Sequence, residues 1–544
     1  MSGRVYRGNR GRIVRVVATW MVVLAWIGWV GGSATVWGGA GSVRLSAGAT
    51  GGHGSSDGAA SSGGRHRITL LHTNDIHASF VPSEAGWRAD HAPIGGFEML
   101  DAWVQKIRAE QPDTLLLDAG DMMTGNPISR IPVEGVAGWG LFSLMNIVGY
   151  DAWELGNHDF DQGQENLHEI LARLGFPTLS ANLGIAPTSP IAGDVKPFVI
   201  LRVGGLRVGV VGLMTPELGG LLHDGLEGIE VADPVATLQD VVRRIDPETD
   251  LIVVLSHMGD EADRALAAAV SGVDVIVGGH SHQRIYPPER VGEVIVVQAG
   301  SNLRYLGRLD LVVARDRVVR YEGALIPLWV RADLVVSPAM REGVSRARRR
   351  VAADYGEPLG ELQVAWVRNY RGESNVGDWI ADQMRRRAGA DVAFLNSGGI
   401  RNNLPAGRVT KGDLVTVLPF ENRLCTFEAT GADLVRIVEA NARAAVERTH
   451  GILQVSGLRY TFTVEGDGVR VTALEVGGHP VEPERVYLAA TNDYMLFSQP
   501  EKYFPGVTPG RPKRLDVTLL EVAVEAFRRE GRVEARVDGR IEQE

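Results

Sequence analysis

Gly156-Asn157-His158-Asp159-Phe160-Asp161 directly follows the short apolar run Ala152 to Leu155. A brief apolar run of this kind reads as a buried strand. The glycine after it frees the backbone to turn, which carries an amide, an imidazole and two carboxylates past the sheet edge. Working outward, the same pattern recurs. Asp75-Ile76-His77 follows a strand predicted over Ile68 to His72, and Asp118-Ala119-Gly120-Asp121 closes one over Thr114 to Leu117. Ser256-His257 closes Leu251 to Leu255, and Gly278-Gly279-His280-Ser281-His282 closes Val273 to Val277. Any one pair is commonplace, since Asp and His after a strand often serve only as a helix cap and a surface side chain. Five in series point into one crevice, because ligands of open α/β sheets lie beyond the carboxyl ends of the strands.

Further strands are predicted over Thr178 to Ala181, Phe198 to Val203 and Leu206 to Leu213, with Gly204-Gly205 a two-residue hairpin turn between the last two. Alternation of such runs with helical patterns predicts an α/β fold. The polar set mixes imidazoles, carboxylates and an amide without thiolates, which suits Zn, Mn, Fe or Co. Asp75, His77, Asp121, Asn157, His257, His280 and His282 are more ligands than one four-coordinate ion needs, and two ions sharing a carboxylate would use them. The lone Cys425 excludes an intrachain disulfide and any site built on several thiolates. His72, inside an apolar strand, is expected to be a satisfied core histidine.

In order and spacing, Asp75-x-His77, Gly120-Asp121, Gly156-Asn157-His158-Asp159, His257 and Gly279-His280-x-His282 resemble the calcineurin-like metallophosphoesterase superfamily. The resemblance implies a four-layer α/β/β/α sandwich over residues 65–330. It implies that Asp75, His77, Asp121 and His282 hold one divalent ion and that Asp121, Asn157, His257 and His280 hold the other. Zn or Mn is expected, with Co as an alternative. Two ions about 4 Å apart acidify a shared water, whose hydroxide then attacks phosphorus in line. His158 would stabilise the transferring phosphoryl group or protonate the leaving oxygen, with Asp161 fixing its tautomer. More plainly, His158 could only orient a ligand.

The charged stretch Arg331 to Asp354, with its Arg346-Ala347-Arg348-Arg349-Arg350 run, reads as an exposed helix, and residues 331–355 as an interdomain connector. A second α/β domain is expected over 356–544. Glu373-Ser374-Asn375 opens a capped helix reaching Met384. A strand over Val392 to Leu395 leads into Asn396-Ser397-Gly398-Gly399-Ile400-Arg401, where paired glycines admit an anion or a flat ring and Arg401 offers it charge. Leu418-Pro419-Phe420-Glu421-Asn422 then sets an aromatic beside an amide. In this combination the chain, from Arg67 onward, resembles the 5'-nucleotidase family of secreted 5'-nucleotidases and periplasmic UDP-sugar hydrolases. That implies a nucleoside pocket lined by Asn396, Arg401, Phe420 and Asn422, with Arg371 a neighbour and Gly457 a turn near the base. Where relatives carry a Gly-Gly-Asp-Gly-aromatic segment, this chain reads Tyr494-Met-Leu-Phe497-Ser-Gln-Pro-Glu-Lys-Tyr503-Phe504. Tyr503 or Phe504 would supply the second stacking ring.

With 56 basic and 66 acidic side chains the 544-residue chain carries a net charge of -10, so it has no electrostatic footprint for a nucleic-acid polymer. A small nucleotide is the expected partner. An arginine-rich start, a charge-free apolar stretch from Val16 to Val30 and small residues near Ser33 predict a signal peptide or membrane anchor over 1–37. Residues 38–64 read as a Gly/Ser/Ala-rich linker, and membrane contact is expected only through an uncleaved anchor. The expected protein is an exported, periplasmic or extracellular, metal-dependent phosphohydrolase of nucleoside 5'-monophosphates, with UDP-sugars or cyclic nucleotides as further substrates. Two alternatives stay open: a thiosulfohydrolase-like dimetal enzyme and a non-catalytic exported nucleotide-binding protein.

Overall fold

Strand residues in the first half alternate between two apolar layers, and that alternation builds the architecture. Leu70, Leu115, Leu117, Val208, Val210, Val253, Leu255, Val275 and Val277 share one buried cluster. Their odd-even neighbours Leu71 and Leu116 join a second, while Val211, Leu213, Ile252, Val254 and Ile276 join a third. Successive strand side chains point to opposite faces, so both sheets are apolar on both sides and must be covered twice.

The computed structural model describes residues 64–222, 225–448, 450–466 and 468–544. The signal-like segment and residues 38–63 of the Gly/Ser/Ala-rich stretch lie outside the described residues. The first sheet has seven strands in the order Val195–Lys196, Thr178–Leu179, Ala152–Glu154, Thr114–Asp118, His66–Thr73, Tyr305–Val313 and Val318–Pro327. The second has six, in the order Phe198–Val203, Leu206–Met214, Leu251–His257, Val275–Gly278, Val294–Ala299 and Arg284–Val291. Helices Phe97–Glu110 and Trp139–Val148 cover the first sheet; Pro234–Ile245 and Asp260–Ala269 cover the second. The result is the four-layer sandwich. Gly204 and Gly205, at φ 58° and 79°, make the hairpin turn between Phe198–Val203 and Leu206–Met214. Within both sheets the strands that carry the motifs run parallel, so their carboxyl ends meet at one edge.

The helix Pro338–Tyr355 differs from an exposed connector. Met340, Val344 and Ala347 belong to the first core, and only the opposite, arginine-rich face meets solvent. An apolar stripe at helical spacing was hidden within the charge run. His72 is buried as expected, but its Nδ1 has no hydrogen-bond partner, and burial lowers its pKa to about 4. It is therefore a neutral ring rather than a satisfied one. It faces Gly307 on the neighbouring strand, where any side chain would overlap it.

In the second half a five-stranded mixed sheet runs in the order Leu453–Ser456, Val392–Asn396, Val486–Asn492, Arg423–Thr430 and Gly510–Thr518. Ala393 and Leu395 face helices Asn375–Ala388 and Leu519–Glu530, while Val392 and Phe394 face Gly431–Glu447 and a four-stranded sheet. The Ser374 hydroxyl caps Asn375–Ala388 by accepting from Gly377 N at 3.2 Å, and Gly389, left-handed at φ 62°, ends it.

Candidate active site

Three of the five strand ends turn sharply. Asp75, His77, Asp121, His280 and His282 all take left-handed backbone angles, φ 47° to 70°. For non-glycine residues each such angle costs about 1–3 kcal/mol, so the surrounding bonds must hold it. They do so strand to strand: Asp75 N donates to Gly120 O at 2.8 Å, His77 N to Asp121 O at 3.0 Å and Asn302 N to Asp75 O at 2.8 Å. Gly156 leaves no room for a side chain beside Asp121, and Gly120 none beside His257 Nδ1 and Gly156.

Asp159 ties two of these turns together. Its carboxylate accepts from Asp121 N at 3.1 Å, Met122 N and Met123 N at 3.0 Å and Gly156 N at 2.8 Å. Asp159→Asn would replace one accepting oxygen with a donor that faces these amides. The expected outcome is metal affinity about 10–100-fold weaker, measured by competition with a fluorescent chelator.

Asp75, His77 and His282 present ligand atoms within 4.8 Å of one another, and Asp121, His257 and His280 form a second such group. Asp121 stands between them, with Oδ2 3.3 Å from His257 Nε2 and 3.7 Å from His77 Nε2. His282 Nε2 lies 3.3 Å from Asp75 Oδ1 and 3.0 Å from His77 Nε2. His257 Nδ1 lies 2.7 Å from Ala119 O, and His77 Nδ1 lies 3.1 Å from Thr124 O. Donation to those carbonyls turns both Nε2 lone pairs inward, as metal-ligating histidines require.

The donor set fits divalent ions. Asn157 Oδ1 and His257 Nε2 are buried without a hydrogen-bond partner, and buried polar atoms are rarely left so. Charge points the same way. Burial alone would lower His257, but the Asp121 and Asp75 carboxylates outweigh it and push the imidazole up to about 10. Burial raises Asp75, yet His282 overcomes this and holds it at about 2. His77 and His280 are lowered by burial, to about 3 and about 4. Paired carboxylates thus draw positive charge onto His257, a demand that bound metal would meet in place of the proton.

His158 Nδ1 lies 2.9 Å from Asp161 Oδ2, which also accepts from the Thr124 hydroxyl at 2.5 Å. Burial opposes the imidazolium, but Asp161 and Asp121 more than offset it, so His158 titrates above its ordinary value. Its ring centroid is 5.5 Å from that of His77, and Phe420 stacks on it at 5.3 Å and 28°. Arg401 lies with its guanidinium 5.7 Å from the Phe420 centroid and Nη2 3.5 Å from His77 Nε2. Arg130 donates to Pro419 O at 2.6 Å and pairs with Glu421, fastening the Phe420 turn to the first half.

Of the other residues expected at a nucleoside pocket, Asn422 lines a small cavity with Phe420, Gly399 and Asn492. Asn396 is buried beside it and accepts from Asn492 Nδ2 at 3.0 Å. Three of the expected residues lie apart from this group. Tyr503 is only 7% exposed and packs edge-on against Tyr494 and His450, while Phe504 packs against Phe427. Tyr494–Ser498 coils as a π-helix that turns the following rings into the core, so neither offers a free face. Gly457, at φ 76°, makes a tight turn packed on Asp391 O and Arg385. Arg371 is exposed, and only its backbone N is engaged, by Asn369. Two neighbours that the sequence did not single out contact the pocket segment. Arg368 donates to Ile400 O at 3.0 Å beside Arg401, and Tyr370 lies against Gly398 and Gly451.

Comparison with known proteins agrees with this geometry. Residues 68–284 match the family described as calcineurin-like phosphoesterase, and residues 358–505 match the 5'-nucleotidase C-terminal domain. The 5'-nucleotidase of Bos taurus is 31% identical over 454 residues, covering 75% of this chain and 78% of that protein. The trifunctional nucleotide phosphoesterase protein YfkN of Bacillus subtilis is 28% identical over 530 residues, covering 88% of this chain but 35% of that protein, so the chain spans about a third of its length. A solved 5'-nucleotidase precursor from Thermus thermophilus superposes with a TM-score of 0.77 at 29% identity, covering 88% of this chain and 99% of that one. The chain belongs to the 5'-nucleotidase family, as a metallophosphoesterase domain joined to a 5'-nucleotidase C-terminal domain.

Proposed function

We propose that the protein hydrolyses nucleoside 5'-monophosphates to nucleoside and phosphate, with UDP-sugars or cyclic nucleotides as further substrates. The observation that carries this is the pair of ligand clusters facing each other across Asp121, with Arg401 and Phe420 of the second half set directly against them. Asp75, His77, Asp121 and His282 would hold one ion; Asp121, Asn157, His257 and His280 would hold the other. Zinc or manganese suits this mixed nitrogen and oxygen set. Two such ions would supply Lewis acidity toward phosphoryl oxygens and acidify a shared water.

The chain's own residues do the rest. His158, aligned by Asp161, delivers a proton to the leaving ribose oxygen. Arg401 offers charge to the phosphoryl group beside His77. Phe420 presents a flat face for the base, and Asn422 an amide for the ring edge. The N-terminal order of arginines, apolar stretch and small residues supports an exported enzyme.

Phosphate release from AMP, other monophosphates, UDP-glucose and cyclic nucleotides tests the assignment. A chain that binds metal and nucleotide but releases no phosphate from any of them would be a binding protein, and one active only on sulfur esters would be a thiosulfohydrolase-like enzyme. Phe420→Ala is expected to raise KM for nucleotides about 10-fold, the worth of one base stack, and to affect a generic aryl phosphate far less. Steady-state kinetics on both substrates checks it, and equal losses would deny a base-stacking role.

A further inference from the structure

The strand Val294–Ala299 is apolar except at one position. Val294, Ile295, Val296 and Val297 pack into two buried clusters of the first half, and Gln298 follows them, itself fully buried. A buried amide is costly unless its donor and acceptor are used. Here both are. Gln298 Nε2 donates to Gly279 O at 2.7 Å, while Oε1 accepts from Gln283 N at 2.5 Å and from the Ser281 hydroxyl at 3.1 Å. These three partners alternate with His280 and His282, so one side chain brackets both histidines. The Ser281 hydroxyl also accepts from Asp260 N at 3.1 Å, at the start of the helix that follows His257.

The two histidines serve different clusters. His280 groups with Asp121 and His257, and His282 with Asp75 and His77. The loop that presents them holds both at left-handed angles, φ 70° and 58°, a shape that non-glycine residues do not keep unaided. Backbone bonds tie its two ends, Gly279 N to Ser256 O and Gly300 N to Gln283 O, each at 2.8 Å. Between those ends Gln298 grips every second residue. The same strand end reaches a third ligand: Ala299 N donates to Asn74 Oδ1 at 2.8 Å, and Asn74 Nδ2 donates to Asp75 Oδ2 at 2.6 Å.

We propose that Gln298 is a positioning residue for both ions, because it sets His280 and His282 through one loop. Loss of either histidine would strip a ligand from one ion, whereas loss of Gln298 would loosen the hold on both. Fully buried, it acts only through the loop. This rests on the two-ion reading above.

Manganese binding to the full chain after chelator treatment, measured by isothermal titration calorimetry, provides the test. Gln298→Met keeps the length of the side chain and removes all three hydrogen bonds. Both ions are then expected to bind about 10–100-fold more weakly, the range for lost support of a ligand. Val296→Ala is the comparison, since it trims fully buried packing on the same face of the same strand without touching the loop bonds. It should lower the thermal midpoint and leave both affinities as they were. Should Gln298→Met fold poorly by circular dichroism, Ser281→Ala replaces it, with about 2–10-fold weaker binding of both ions for one lost hydrogen bond. Fewer than two ions on the unsubstituted chain would overturn the two-ion reading and this inference with it. Two ions there, with affinities unchanged in the loop variants, weakened at one position only, or weakened equally by Val296→Ala, would overturn the inference alone.

Discussion

Asp121→Asn is expected to lower turnover by about 1,000-fold or more, since several kcal/mol of charge stabilisation would depend on the ions it is proposed to hold. Elemental analysis should show loss of metal from both positions rather than one. Asp121 Oδ2 faces His257 on one side and His77 on the other, and Oδ1 accepts the His158 backbone N–H at 2.8 Å. Asparagine keeps the shape and removes the charge. His282, partly exposed at the rim and grouped only with Asp75 and His77, should when replaced by alanine release one ion and keep the other. Loss of a single ion in Asp121→Asn would show that the carboxylate is not shared.

His158→Ala is expected to reduce kcat by about 100–10,000-fold, the range for a positioned general acid, while metal content stays near normal. The side chain belongs to neither ligand group, and the backbone N–H that it lends to Asp121 survives the substitution. Leaving groups separate the roles. A nitrophenyl phosphate departs without a proton, so the variant should lose far less on it than on AMP. Equal losses on both would mean that His158 stabilises the phosphoryl group instead, and lost metal would mean that it orients a ligand.

The strand ends were legible in the sequence because each is marked by local chemistry: an apolar run, then Asp, Asn or His, with a glycine to permit the turn before Asp121, Asn157 and His280. Parallel strands gather those ends at one edge, so Asp75, Asp121, Asn157, His257 and His280 needed no long-range knowledge to be grouped. Arg130 needed it. It carries no local motif and meets Pro419 O and Glu421 only through the packing of one half on the other. Asp159 sat inside the most visible motif, yet its service to four amides of two turns is a property of the folded backbone. Tyr503 is another case: its ring follows the π-helix Tyr494–Ser498 and lies buried. The helix Pro338–Tyr355 hid its apolar stripe behind the arginines between Arg341 and Arg350 only in part, since Met340, Val344 and Ala347 stand at helical spacing.

Anomalous diffraction at the manganese edge, from crystals of the full chain loaded with manganese, tests the central claim most directly. Two peaks are expected, flanking the Asp121 carboxylate, one beside Asp75, His77 and His282 and the other beside Asn157, His257 and His280. A single peak, or peaks that do not share Asp121, would contradict the account.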